Sequence, residues 1–162
     1  MYKFISQMST RKLKIAYFGS PSFSAYFLEK LLTDKTLPIE VKLVITQEDK
    51  PVGRKQILTP SPVKQIATKY QISNIKYQKE IENWKLEIGK LDLALVLAFG
   101  KIIPKELLHQ PKYGFWNIHY SLLPKYRGPS PTAYALIAGE KKTGVTIFQM
   151  DEEIDHGPII AQ

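Results

Sequence analysis

The chain holds 162 residues, close to the ~100–200 of one compact domain, with 44% hydrophobic and 23% charged residues and a net charge of +8. That balance excludes a disordered or fibrous chain, and no run approaches the ~18 consecutive apolar residues of a membrane span. Zero cysteines exclude a disulfide framework, a Cys-ligated zinc and a thiol nucleophile.

Short apolar runs alternate with amphipathic stretches, the pattern of a parallel sheet with crossover helices. Strands are predicted at 13–18 (LKIAYF), 40–46 (EVKLVIT), 74–77, 91–99 (LDLALVLAF), 115–119 (FWNIH), 144–150 (GVTIFQM) and 158–161. The fourth run lacks clean apolar–polar alternation, as a strand buried on both faces does. Helices are predicted at 21–32, 62–70, 81–90 and 131–138. Three of them open on Ser-Pro (Ser20-Pro21, Ser61-Pro62, Ser130-Pro131), a hydroxyl at the N-cap followed by proline at the first helical position. The expected fold class is α/β, a doubly wound, mostly parallel, Rossmann-like sheet. Residues 47–60 and 121–129, rich in Pro, Gly and charge, read as irregular loops, and loops beyond strand C-termini are where such sheets bind ligands. No repeat or low-complexity tract interrupts the pattern.

The charge is unevenly spread. Residues 50–79 hold seven basic side chains and no acidic one, whereas 151–155 holds four acids in five positions. A basic stretch either attracts a polyanion such as RNA through its phosphates or forms a solvated lysine-rich face. The opening MYKFISQMSTRKLK lacks the apolar core of a signal peptide, so a cytoplasmic location is the expectation.

Common signatures are missing. Gly19 stands alone after the first strand, so GxGxxG is absent, as are GxxxxGK[ST], GxSxG and HExxH. The three histidines, His109, His119 and His156, are too scattered for a His-rich metal site, and no metal is expected. Asn117 and His119 stand two apart at the end of a predicted strand, so their side chains share one side of it. A carboxamide can donate to a developing oxyanion, and an imidazole can move a proton near neutral pH. The pair suits acyl transfer to an amine; the plain alternative is a strand-end Asn and His bonded to backbone.

The residues that follow sharpen the choice. NIHYSLLPKYRG (117–128) resembles the catalytic loop N-[VI]-H-x-S-L-L-P-x-[YWF]-R-G of the N10-formyltetrahydrofolate-dependent formyltransferases. TGVTIFQMDEEIDHGPII resembles that family's TGVT-[IV]-x-x-M-D-x-x-x-D-x-G-x-I-[IL], and the interval from Asn117 to Asp155 matches its spacing. TQEDKPVGRKQILTPSPVK (46–64) resembles, without a gap, the TQPDKPAGRGKKLTPSPVK loop of the branch whose acceptor is methionyl-initiator tRNA. FGSPSF and LAFGKIIPKELL resemble further motifs of that branch, so the similarity runs through 13–162.

The resemblance implies transfer of a formyl group from 10-formyltetrahydrofolate to the α-amine of the aminoacyl-tRNA. It implies that Asn117 bonds the formyl oxygen, that His119 stabilises the intermediate and relays a proton, and that Asp155 orients His119. Ser121, Leu122, Leu123 and Pro124 would form the wall of the folate pocket, and Arg54 and Lys55 would meet acceptor-end phosphates. A formyltransferase acting on a nucleotide-sugar amine or other small amine is the sibling alternative, disfavoured by the 46–64 loop; an inactive fragment with residual RNA binding is the other. His109 and His156, without partners in sequence, read as surface residues; Asp151, Glu152 and Glu153 read as solvated or loop-shaping; Phe115 and Trp116 read as core or pocket lining.

Two positions depart from the pattern. Tyr120 replaces a small residue beside the pocket, and Lys55 replaces a glycine, a strained choice if that position needs φ > 0. The expected organisation is an N-terminal extension (1–12, with Met8 as an alternative start) and an incomplete catalytic domain (13–162), lacking a C-terminal tRNA-binding domain. The complete protein is expected to be a monomer, and the bare chain a poor enzyme.

Overall fold

A computed structural model describes residues 11–162. Residues 1–10, and with them Met8 and most of the expected extension, lie outside the described residues. Arg11 is tied to the body of the fold: its guanidinium meets the buried Asp92 at 2.7 Å.

Seven strands form one sheet: β1 (Leu13–Gly19), β2 (Ile39–Thr46), β5 (Ile75–Tyr77), β6 (Leu93–Leu97), β7 (Phe115–His119), β8 (Thr146–Gln149) and β9 (Ile159–Ala161). Their spatial order is β5-β2-β1-β6-β7-β8-β9. The first five run parallel; β8 is antiparallel to β7, and β9 to β8. Strand alternation feeds two cores. Ala16, Phe18, Leu43, Ile45, Ala94, Val96 and Phe115 pack on one face with Trp84, Ile88 and Leu107. Ile15, Tyr17, Val41, Val44, Leu95 and Ile118 pack on the other with Leu28, Val63 and Ala67. Burial of both faces is what makes these strands nearly continuous apolar runs. Phe18 lies at the centre of the first core, 5.2 Å from both the Phe99 and Phe115 rings; each such aromatic pair is worth about 0.5–1.5 kcal/mol beyond area burial.

The second face is covered by α1 (Ser22–Thr33) and α2 (Pro62–Lys69), the first by a 3₁₀ segment (Gln78–Trp84) and the short α3 (Lys85–Ile88) and α4 (Lys105–Leu108). The doubly wound layout is therefore present. The predicted helix over 81–90 is reduced to a 3₁₀ segment and one α-turn, because Trp84 and Ile88 give it a single buried i,i+4 pair before Gly89. The strand expected over 91–99 stops at Leu97, where Ala98 (φ 51°) and Gly100 (φ 76°) turn the chain.

The three Ser-Pro signals have different outcomes. Ser61 caps α2, accepting from the Lys64 N–H at 3.0 Å. At α1 the cap position falls on Pro21, and the Ser20 hydroxyl instead accepts from Thr46 Oγ1 (3.3 Å) and the Gln47 N–H (3.2 Å), tying the β1 and β2 loops together. Ser130 precedes α5 (Pro131–Ile137) without a side-chain cap.

The 47–60 loop is more regular than expected: Lys50–Val52 (β3) and Ile57–Thr59 (β4) pair as an antiparallel hairpin. It buries almost nothing, so it left no apolar pattern to read. Its turn places positive φ at Gly53 (69°) and Gln56 (49°). Lys55 between them escapes the strain expected of it.

Parallel β1, β2, β6 and β7 bring their following loops to one edge. The strand order reverses between β1 and β6, and a crevice at such a switch point is the usual ligand position.

Candidate active site

Asn117 and His119 lie in the C-terminal half of β7, on the same face as Phe115. The side chain of His119 is 6% exposed, so its two ring nitrogens must find partners inside the fold. Nε2–H donates to the Tyr126 carbonyl at 2.9 Å. A carbonyl only accepts, and this fixes the proton on Nε2. Nδ1 faces Asp155 Oδ2 across 3.5 Å. An imidazolium therefore finds an acceptor on each side.

The same carboxylate collects two further groups. Its Oδ2 accepts the Gly128 N–H at 2.7 Å, and its Oδ1 accepts from Asn117 Nδ2 at 3.4 Å. Because a carboxylate only accepts, the amide nitrogen of Asn117 is the atom turned toward it. One Asn117 N–H is thereby committed, and the other has no partner among the described residues. The structure thus brings Asn117, His119 and Asp155 together from β7 and the β8–β9 loop. The two positions that close on the imidazole, Tyr126 (φ 56°) and Asp155 (φ 45°), are both left-handed without being glycine. Such outliers persist where surroundings over-determine them and cluster at functional sites.

The loop after β7 is braced from beneath. Ser121 is fully buried and its Oγ donates to the Lys125 carbonyl at 2.6 Å. Thr146 Oγ1 donates to the Ser121 carbonyl (2.7 Å) and accepts the Leu123 N–H (3.1 Å), holding 121–123 to β8. Leu122 is 42% exposed and lies against Gly144, while Leu123 is buried and Pro124 exposed. Of the four residues expected to wall a folate pocket, Leu122 and Pro124 are thus open to a ligand, and Ser121 braces the loop. A cleft of about 270 Å³ runs along 122–126 and is lined on its other side by Glu140, Lys142 and Thr143. Lys125 and the Tyr126 hydroxyl both bond Glu140 Oε1, at 2.9 Å each. Those bonds hold the Glu140 carboxyl below its usual range.

Arg54 and Lys55 are exposed at the tip of the β3–β4 hairpin. Its base is clamped, with Lys64 Nζ bonding both Asp49 oxygens at 2.7 Å and the Tyr77 hydroxyl at 2.9 Å. Within the basic 50–79 stretch, Lys64, Lys69 and Lys76 are spent on Asp49, Glu29 and Glu87. Charge is left for a partner mainly at the hairpin.

Sequence reasoning missed three participants: the Tyr126 carbonyl, the Gly128 N–H and Thr146. The first two are backbone groups, invisible to residue type, and Thr146 acts as a brace inside TGVT. His156, expected without a partner, has one: Asp151 Oδ2 at 2.5 Å. His109 is exposed, Phe115 is wholly buried, and Trp116 is half-buried with its Nε1–H on the Tyr113 carbonyl at 3.0 Å. Tyr120 packs edge-on to Phe23 at 5.5 Å, and burial pushes its phenol pKa up. Among the described residues no group of three or more His, Asp or Glu could hold a metal ion, and no helix is long and apolar enough to cross a membrane.

Comparison with known protein families matches the formyl transferase model to residues 13–162. The chain belongs to this family. It is 45% identical over 154 residues to a methionyl-tRNA formyltransferase of Caldicellulosiruptor saccharolyticus, covering 93% of this chain and 49% of the relative. It is 46% identical over 153 residues to that of Halalkalibacterium halodurans, covering 93% and 47%. The chain spans about half the length of the curated relatives it matches. Among solved structures, glycinamide ribonucleotide transformylase 1 of Geobacillus kaustophilus superposes with a TM-score of 0.74 at 26% identity, covering 94% of this chain and 81% of that one. The phosphoribosylglycinamide formyltransferase of Anaplasma phagocytophilum gives 0.73 at 25%, covering 94% and 71%. The formyltransferase fold expected from the motifs is the fold observed.

Proposed function

We propose that this chain carries the formyl-transfer site of an enzyme that moves a formyl group from 10-formyltetrahydrofolate to the α-amine of methionyl-initiator tRNA. The observation that carries the acceptor is the exposed basic hairpin at 50–59, in a chain 45–46% identical to relatives named methionyl-tRNA formyltransferase. Identity to the glycinamide-type enzymes is only 25–26%. We place the catalytic part in residues 13–162 and the whole protein in the cytoplasm as a monomer.

The site's donor set fits a carbonyl ligand, since Asn117 keeps one N–H unspent beside an imidazole. When bound, the folate supplies a formyl carbon activated for acyl transfer. Asn117 gives its free N–H to the formyl oxygen as negative charge grows there, an interaction stronger in the transition state than before it. An α-amine has a pKa of about 7.7–8.0, so a useful fraction attacks as the free base without a strong base nearby. His119 keeps its Nε2 proton on the Tyr126 carbonyl, so Nδ1, only loosely faced by Asp155 at 3.5 Å, is the nitrogen that takes the proton released by the amine and passes it toward the leaving nitrogen. Asp155 keeps Asn117 turned the right way and faces the imidazolium through that step. Leu122 and Pro124 offer the apolar surface for the folate ring, on a backbone held by Ser121 and Thr146. Arg54 and Lys55 bind acceptor-end phosphates, contacts that position without reading sequence.

Formylation of methionyl-tRNA by the full-length gene product, with and without Asn117→Ala, tests this reading. A small-amine acceptor formylated in preference to the tRNA would replace it with the sibling activity.

A further inference from the structure

The β8–β9 loop contains a second histidine–carboxylate pair that the chemistry above leaves unused. His156 Nδ1 lies 2.5 Å from Asp151 Oδ2, and Asp151 Oδ1 accepts the Glu153 N–H at 2.9 Å. The two side chains are 42% and 35% exposed, so the pair is partly open to solvent. Burial works to raise the Asp151 carboxyl pKa, but the bond from His156, the Glu153 amide and the charges of His156 and Arg127 outweigh it and hold it low. Arg127 belongs to the loop after β7, so Asp151 couples electrostatically to both loops that enclose His119.

Asp155 stands immediately before His156 in the left-handed region (φ 45°), which is uncommon outside glycine although aspartate tolerates it better than most residues. The chain on its far side is fixed by close packing. Gly157 (φ 100°) lies so near the Gln149 carbonyl that a Cβ there would sit 2.1 Å from its oxygen, and the Gln149 N–H bonds the Pro158 carbonyl at 2.9 Å. Residues 149–158 therefore form a closed ring. The Asp151–His156 bond is the side-chain cross-link inside it, and it anchors next to Asp155.

We propose that His156 and Asp151 are positioning residues, whose bond holds Asp155 in the left-handed conformation that aims its carboxylate at Asn117, His119 and the Gly128 N–H. A return of Asp155 to an ordinary backbone region swings its Cα–Cβ bond away from Gly128. A misplacement of about 1 Å at a reacting centre can cost on the order of 10² in rate. This inference rests on the formyl-transfer reading.

The test measures kcat and KM in the full-length gene product. His156→Ala is expected to lower kcat about 10- to 100-fold with both KM values within about twofold, the split of a group acting only on the transition state. His156→Asn, whose amide N–H can replace Nδ1–H, is expected to stay within about threefold of wild type. In an Asp155→Asn background, His156→Ala is expected to add nothing, because both act through one carboxylate. If His156→Ala does not fold, His156→Gln, which displaces the donor by one methylene, is read in its place. Wild-type kcat in the variant read, loss in His156→Asn equal to that in His156→Ala, or an additive loss in the Asp155→Asn background each overturns the proposal. A wild-type protein that formylates no methionyl-tRNA overturns the functional reading and this inference together.

Discussion

His119 and Asp155 face each other across 3.5 Å, while the carboxylate spends its shorter bond, 2.7 Å, on the backbone N–H of Gly128. The pair is held by the loops around it more than by its own contact. Asp155 therefore belongs as much to the NIHYSLLPKYRG loop as to its own, and the two motifs depend on each other for their geometry. The 38 residues that separate Asn117 from Asp155 in sequence are closed by the β7–β8 and β8–β9 pairings.

Asn117→Ala removes a site donor that keeps one N–H uncommitted among the described residues. Loss of an oxyanion donor typically raises the barrier by about 2.7–4 kcal/mol, so turnover is expected to fall roughly 10²–10³-fold with tRNA affinity little changed. Steady-state kinetics beside a filter-binding titration separate the two, and near-normal turnover would remove Asn117 from the chemistry.

The hairpin prediction is electrostatic. With Arg54 and Lys55 both changed to Ala, the log–log salt slope of tRNA binding is expected to flatten by about 1.4–1.8, since each phosphate contact contributes about 0.7–0.9. Folate binding should not move. An unaltered slope returns the two side chains to an ordinary solvated surface.

Gly157→Ala should destabilise more than Gly53→Ala, although both positions have positive φ. At Gly53 a Cβ meets nothing within 4 Å, so only backbone strain is added; at Gly157 it runs into the Gln149 carbonyl. Strain of this kind costs about 1–3 kcal/mol, or about 2–12 °C in melting temperature, and Gly157→Ala is expected at or beyond the top of that range. Thermal melts of the two variants decide it, and equal losses would mean the loop gives way freely.

Tyr17 sets a high-pH limit on stability. Its phenol is fully buried, donates to the Ser24 carbonyl at 2.8 Å, and has its pKa pushed well above the ordinary value by burial. The folded state keeps this proton while the unfolded chain loses it near pH 10, so the contribution is complete below about pH 10 and is lost as pH rises beyond it. Melting temperature measured from pH 8 to 11 should fall more steeply for wild type than for Tyr17→Phe. Parallel curves would contradict the assignment.

Much of this fold was legible because the strands are buried on both faces: 115–119 was delimited to the residue, and β1 and β2 to within one at an end. Elements that bury little left no such trace. The β3–β4 hairpin is exposed except at Thr59, and α4 is a single turn between Pro104 and His109. Ser20 shows a further limit, since the same Ser-Pro signal that caps α2 is diverted at α1 by Thr46 and Gln47, neighbours that only the tertiary fold supplies. In the candidate site, side-chain identity pointed to Asn117 and His119, and the resemblance to the family's motif pointed to Asp155. The Tyr126 carbonyl and Gly128 N–H could not be read that way, because a backbone group's role depends on φ and ψ.

The central claim is tested most directly by supplying the full-length gene product with formyl-labelled 10-formyltetrahydrofolate and methionyl-initiator tRNA, and locating the label by mass. The account predicts label on the methionine α-amine, reduced roughly 10²–10³-fold by Asn117→Ala. Label that appears only on a small-molecule amine such as a phosphoribosylated glycinamide, or transfer to the tRNA that is indifferent to Asn117, contradicts it.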